Sequence, residues 1–214
     1  MKVLMLNGST RKNGNTRAVL DQMVEILSAQ GLETEIFWVG NEPIRDCTGC
    51  GTCKKTRNNT CVFKDDYIND LIAKCQAADG FVFGTPVYYS HPSGALLSVL
   101  NRMYYAGGNV LRGKPGCSFA VARRGGTSLA LQVLNQYFLY NEMPLVSGSY
   151  WAMLHGARPE EVFQDVEGMQ TIRNMTRNLA HVMKSLKLAG ENGLEKPENE
   201  YGELEVFHHM RLVC

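Results

Sequence analysis

Short apolar runs alternate along this chain with segments whose apolar residues recur every three or four positions. That alternation predicts an α/β protein, a parallel sheet covered by helices on both faces. Val3 to Leu6 reads as a buried strand ending in Asn7-Gly8. A helix follows from about Thr16 to Ala29, with Leu20, Met23, Val24 and Leu27 on one face and Gly31 as its stop. Thr34 to Val39 is the second strand. Behind a capping Asp65 or Asp66, the residues Ile68, Leu71, Ile72 and Cys75 fall at helical spacing. Phe81 to Phe83 is the third strand, closed by Gly84-Thr85-Pro86, and the helix after Pro92 carries Leu96, Val99, Leu100 and Met103. Ser118 to Ala122 and Thr127 to Tyr140 form the next strand and helix, and Pro144 to Ser147 opens a fifth strand. A last helix runs from about Val166 to Leu188, with Ile172, Met175, Leu179, Val182 and Leu186 on its apolar face. The prediction is one five-stranded domain over residues 1–189, with an aperiodic insertion at 47–61 and a polar tail at 190–214.

Composition narrows the function. The chain has 214 residues, 22 basic and 21 acidic, and no block of five like charges, so it lacks the electrostatic footprint of a nucleic-acid or membrane-surface protein. The first strand breaks into polar residues too soon for a secretory signal, and no apolar run approaches a membrane span. The expected location is the cytoplasm. Seven cysteines are present, four of them between 47 and 61. In a reducing compartment such clustering reads as metal, iron–sulfur or redox chemistry rather than a disulfide framework.

Three loops carry candidate chemistry. The turn Gly8-Ser9-Thr10-Arg11-Lys12-Asn13-Gly14-Asn15-Thr16 joins a buried strand to a helix, where backbone amides and the helix dipole bind phosphate. Ser9 and Thr16 add hydroxyls, Asn15 an amide and Arg11 a charge. Neither the dinucleotide fingerprint nor the Walker motif is present, and the hydroxyl-rich turn suits a monophosphate ester such as that of FMN. Thr85, Pro86, Val87 and Tyr88 then form a stiff, aromatic loop at the carboxyl end of the third strand, where open α/β sheets bind ligands. At the end of the fourth strand, Arg123 and Arg124 offer charge for a reduced flavin, and Gly125 and Gly126 allow close backbone approach.

Cys47, Cys50, Cys53 and Cys61 have the spacing C-x2-C-x2-C-x7-C. Three ligands at two-residue gaps wrap a cubane cluster, with the fourth arriving from further along. A zinc site, or a set of free redox-active thiols, fits the same residues less specifically. Cys75 and Cys117 read as core residues, Cys214 as an exposed terminus, His208 and His209 as a solvated tail, and His155 as a structural residue near the site edge.

The phosphate turn, the Gly84-Thr85-Pro86-Val87-Tyr88-Tyr89 loop with its Ser- and Leu-rich helix, and the Ala122-Arg123-Arg124-Gly125-Gly126 loop resemble those of the NADPH-dependent FMN reductases of the flavodoxin-like superfamily. The cysteine motif is similar to that of the iron–sulfur flavoprotein branch. The resemblance spans about residues 1–188. It implies strand order 2-1-3-4-5, non-covalent FMN, a possible [4Fe–4S] cluster, NAD(P)H as electron donor, and a homodimer or homotetramer with flavins near subunit interfaces. Electrons pass from the nicotinamide nucleotide through FMN to a small-molecule or protein acceptor. Hydride transfer needs no side-chain acid or base, so no conventional catalytic residue is assigned. The alternatives are a non-enzymatic flavodoxin-like carrier, against which the charge of +1 speaks, and an FMN reductase without a cluster.

Overall fold

The computed structural model describes residues 1–198 and 200. Cys214, His208, His209 and most of the predicted tail lie outside the described residues. Five parallel strands form one sheet: β1 (Lys2–Asn7), β2 (Glu33–Trp38), β3 (Gly80–Pro86), β4 (Gly116–Ala122) and β5 (Met153–His155), in the order 2-1-3-4-5. Both the fold class and the strand order are as expected. The central strands are near-continuous apolar runs because both faces are covered. Side chains alternate along β1, so Val3 and Met5 face one helical layer and Leu4 and Leu6 the other.

On the first face, α1 (Asn15–Ala29) and α6 (Val166–Glu191) bury Leu20, Met23, Leu27, Ile172, Met175 and Leu179 against the sheet. On the second, α3 (Ile68–Ala77), α4 (Gly94–Leu111) and α5 (Thr127–Tyr140) bury Leu71, Leu96, Leu100, Met103, Leu134 and Phe138. Among the described residues no helix is long and apolar enough to cross a membrane.

The structure corrects three details. Residues 144–147 do not open the fifth strand. Gly116 donates to the Pro144 carbonyl and Val146 donates to Gly116, giving an isolated bridge between Gly116 and Leu145, after which the chain leaves the sheet. Pro144 has no N–H for a ladder, and Gly148 lies so close to α6 that a Cβ there would stand 2.7 Å from the Thr171 carbonyl. The last helix continues through Glu191, past the 189 boundary, and its buried stripe ends at Met183, leaving Leu186 exposed. The 47–61 insertion contains a short helix, α2 (Thr52–Thr56).

Two packing consequences are measurable. A Cβ on Gly84 would meet Phe119 Cζ at 2.4 Å and Thr16 Cγ2 at 3.0 Å, so Gly84→Ala is expected to cost about 1–3 kcal/mol by overpacking. The cost should appear as a lower urea midpoint at unchanged slope, whereas an unchanged midpoint would show that Phe119 yields freely. Burial pushes the Cys75 and Cys117 thiols up to about 12, so neither should react with a maleimide until the chain unfolds.

Candidate functional site

At the carboxyl edge of the sheet, the ends of β1, β3 and β4 border an open cleft of about 200 Å³. Ser9, Arg11, Asn15 and Thr16 border it from the first loop, Pro86, Val87 and Tyr88 from the second, and Arg123 from the third. Helices α1 and α5, which start at this edge, have Gly14 and Gly126 as N-caps and no side-chain cap. By contrast α4 is capped by Ser93 Oγ and α6 by Asp165. The first-turn N–H groups of α1 and α5 therefore lack a side-chain acceptor, and the dipole favours an anion there.

The first loop is held rigidly from behind. Trp38 Nε1 donates to the Ser9 carbonyl at 2.7 Å, Asn7 Nδ2 donates to the Lys12 carbonyl at 3.1 Å, and the Arg11 N–H donates to Ser9 Oγ at 3.1 Å. Gly8 donates to the Gly84 carbonyl at 2.8 Å and its own carbonyl accepts from Ser93 Oγ at 2.6 Å. Ser9 and Thr16 are buried, while Arg11 projects into solvent at the rim.

Other expected residues take different places. The Asn15 side-chain carbonyl accepts from the Val162 N–H at 3.3 Å, which ties α1 to the 3-10 turn at Glu161–Gln164. Thr85 is fully buried, and its hydroxyl donates to the Pro86 carbonyl and accepts from the Ser93 N–H. It shapes the loop rather than facing the cleft. Thr10 lies at the rim, its hydroxyl 3.4 Å from that of Tyr88. Asn13 borders a smaller neighbouring cleft with Arg17 and Pro159. Arg124 and Gly125 are exposed beside the cleft rather than among its bordering residues, and Gly126 seats against Ser90. Tyr88 and His91 exchange two backbone hydrogen bonds of 2.9 Å around Tyr89 (φ 50°) and Ser90 (φ 66°), a tight hairpin that leaves Tyr89 fully exposed.

The sequence reading missed Trp38, Ser93 and the segment Gly156 to Pro159, which closes the far side of the cleft. Ser93 was detectable as a Ser just before an apolar-periodic helix, the pattern of an N-cap. His155, next to that segment, pairs its Nδ1 with Asp165 at 3.1 Å.

The second site is a small pocket bordered by all four clustered cysteines, with Val62, Phe63, Tyr105 and Ala106 as apolar wall. Gly49 (φ 66°) and Gly51 (φ 69°) adopt left-handed backbone on either side of Cys50, turning the loop sharply enough to bring Cys47 and Cys53 to one cavity. Hydrogen bonds from the Thr52 N–H and hydroxyl hold the exposed Cys50 thiol below its ordinary value. Cys61 arrives from the far end of the loop, where Asn69 accepts from its N–H at 2.7 Å and donates to its carbonyl at 3.1 Å. Among the described residues, no three His, Cys, Asp or Glu converge closely enough to chelate a single ion.

Behind the cysteines stands Arg102, 1% exposed, whose Nη2 donates to Cys61 Sγ at 3.3 Å and whose Nη1 pairs with Asp66. Burial opposes its charge, yet the bonds to Asp66 and Cys61 outweigh that and raise its pKa. Among the described residues its Nε is the only buried side-chain nitrogen or oxygen without a hydrogen-bond partner.

Residues 1–158 match the family model for NADPH-dependent FMN reductase. The chain is 30% identical to an iron–sulfur flavoprotein of Methanocaldococcus jannaschii over 87% of its own length and 100% of that protein's. It is 26% identical to the iron–sulfur flavoprotein of Methanosarcina thermophila over 87% and 97% of the two chains. Solved structures of the same fold include RosB with bound 8-demethyl-8-formylriboflavin-5'-phosphate, at TM-score 0.68 and 18% identity over 98% of this chain and 93% of that one. Another is FerB, an NAD(P)H:(acceptor) oxidoreductase from Paracoccus denitrificans, at TM-score 0.64 and 13% identity over 86% and 97%. With more than two thirds of its length matched by the family model, the chain belongs to the NADPH-dependent FMN reductases and is an oxidoreductase.

Proposed function

We propose that the chain takes electrons from NAD(P)H onto FMN in the cleft at the sheet edge and passes them on through a [4Fe–4S] cluster held by Cys47, Cys50, Cys53 and Cys61. The observation that carries this reading is the pairing of two pockets in one chain: a cleft with uncapped helix ends, and a cavity ringed by four cysteines. When bound, FMN supplies the hydride and electron chemistry, and a cubane supplies a one-electron exit.

The donor set of the cleft fits FMN. The α1 amides, the Ser9 and Thr16 hydroxyls and the Arg11 guanidinium bind the phosphate, and Tyr88 offers a flat face to the ring. Arg123 places positive charge beside a reduced flavin. The cysteine pocket fits a cubane better than zinc. A tetrahedral zinc site needs its sulfurs within roughly 4 Å of each other, given Zn–S bonds of about 2.3 Å. A cubane instead places each sulfur on a different iron, and the C-x2-C-x2-C-x7-C spacing brings four cysteines to the border of one cavity. The orphaned Arg102 Nε beside that cavity is a donor in want of an acceptor.

The acceptor in this reading is a one-electron protein partner or a small molecule, and the working assembly is a homodimer or homotetramer in the cytoplasm. In this reading the flavin-binding unit runs from residue 1 to the end of α6 at Glu191.

Anaerobic purification with a visible spectrum and iron and sulfide analysis tests the reading. Flavin bands with about four iron and four sulfide per chain are expected, and flavin without iron would leave an FMN reductase with free thiols. Arg11→Ala should weaken FMN binding by roughly 1.5–3 kcal/mol, the contribution of a hydrogen bond to a charged group, with thermal stability of the apoprotein unchanged. Undiminished affinity would remove Arg11 from the phosphate site. Trp38→Phe should lower FMN affinity about fivefold by releasing the Ser9 carbonyl, a loss of roughly 1 kcal/mol, as titrated by flavin fluorescence quenching.

A further inference from the structure

On α4, the residues Leu96, Val99, Leu100 and Met103 form a buried stripe, and Arg102 lies within it, three residues beyond Val99. A fully buried guanidinium needs a reason. Replacing a buried ion pair by apolar side chains of similar volume is often neutral or stabilising, so stability alone does not account for this one. Arg102 is also incompletely satisfied. Nη1 reaches Asp66 and, at 3.4 Å, the Arg45 carbonyl, Nη2 reaches Cys61 Sγ, and Nε reaches nothing. Its Cζ stands 5.7 Å from the centre of the Phe63 ring, another wall of the cysteine pocket. The charge is therefore anchored by a carboxylate on one side and directed at a cysteine sulfur on the other.

Cys61 is the ligand that most needs help. Cys47 and Cys50 sit on one tight loop and Cys53 in the first turn of α2, whereas Cys61 follows Cys53 only after seven intervening residues. Asn69 fixes its backbone from α3, and Arg102 fixes its side chain from α4. A positive charge and an N–H donor at a ligating sulfur also stabilise the more negative, reduced form of a cluster, because hydrogen bonds to sulfur and local charge set its potential.

We infer that Arg102 is a positioning residue for the cluster: it holds Cys61 in place as the fourth ligand and raises the cluster's reduction potential through the Nη2–H···Sγ bond. This rests on the cluster reading above, and Asp66 tempers the effect by partly neutralising the guanidinium.

The test uses the full chain, purified anaerobically with its flavin, as wild type, Arg102→Lys, Arg102→Met and Arg102→Met/Asp66→Asn. Iron and sulfide analysis comes first, and a wild-type chain without iron overturns the cluster reading itself rather than the role of Arg102 within it. The cluster is then titrated potentiometrically, with circular dichroism and flavin content as checks of the fold. Arg102→Met is expected to lower the reduced-to-oxidised ratio at the wild-type midpoint at least tenfold, which is 59 mV for one electron. Arg102→Lys, which keeps the charge but not the fork, should shift it in the same direction by less. The double variant, free of any stranded carboxylate, should also shift it in that direction and reports in place of Arg102→Met if that variant does not fold. Loss of iron from a folded, flavin-bound Arg102→Met, with iron kept in Arg102→Lys, supports the positioning role. A folded Arg102→Met or double variant with full iron and a ratio within twofold of wild type overturns the inference.

Discussion

One backbone contact organises the ligand-binding edge of this molecule. The Gly8 N–H meets the Gly84 carbonyl at 2.8 Å, and the Gly8 carbonyl receives Ser93 Oγ at 2.6 Å. No side chain fits between these elements: a Cβ on Gly8 would lie 2.6 Å from Leu96 Cδ2 and 2.8 Å from the Gly84 carbonyl. The ends of β1 and β3 and the start of α4 are thus locked together where the strand order reverses, the place at which open α/β sheets bind ligands. From this crossing the turn at 8–16 leaves in one direction into α1, and α4 leaves in another.

The polar groups around that crossing are divided by task. Ser93 and Asp165 satisfy the starts of α4 and α6, so those helix ends serve the fold. Gly14 and Gly126 leave the starts of α1 and α5 without a side-chain cap, and the start of α1 borders the cleft. Thr85 belongs to the first group although its neighbours Pro86 and Val87 belong to the second. A capped amide is a structural element, and an uncapped one beside a cleft is a binding element.

The sheet was legible in the sequence because a strand buried on both faces is an apolar run and little else, and β1, β3 and β4 are of that kind. The fifth strand was not, because Pro144 and Gly148 interrupt the pairing and postpone it to Met153–His155. Loop positions at the strand ends do gather around one cleft, yet composition alone did not separate hydroxyls that border it, such as Ser9, from Thr85, whose partners are backbone groups a few residues away. Trp38 and Arg102 escaped notice for a common reason: each acts across a long sequence separation, on Ser9 and on Cys61, and only the folded chain brings those pairs together. The position of Arg102 did carry a local signal, a charge at core spacing on an apolar helix face.

Helix α4 touches both sites. Its cap, Ser93, bonds the Gly8 carbonyl beside the cleft, and Arg102, nine residues on, bonds the cysteine side, a rise of about 14 Å along the axis. The two sites are therefore phased to each other by the helical screw rather than by the loops that carry their ligands. Residues added at the exposed tip of the 47–61 segment lengthen a loop. A single residue added between Ser93 and Arg102 would turn the guanidinium by about 100° around α4 and take it away from Cys61. The lineage of such a protein is free to vary the cysteine loop in length, but the count of residues along α4 is a fixed ruler.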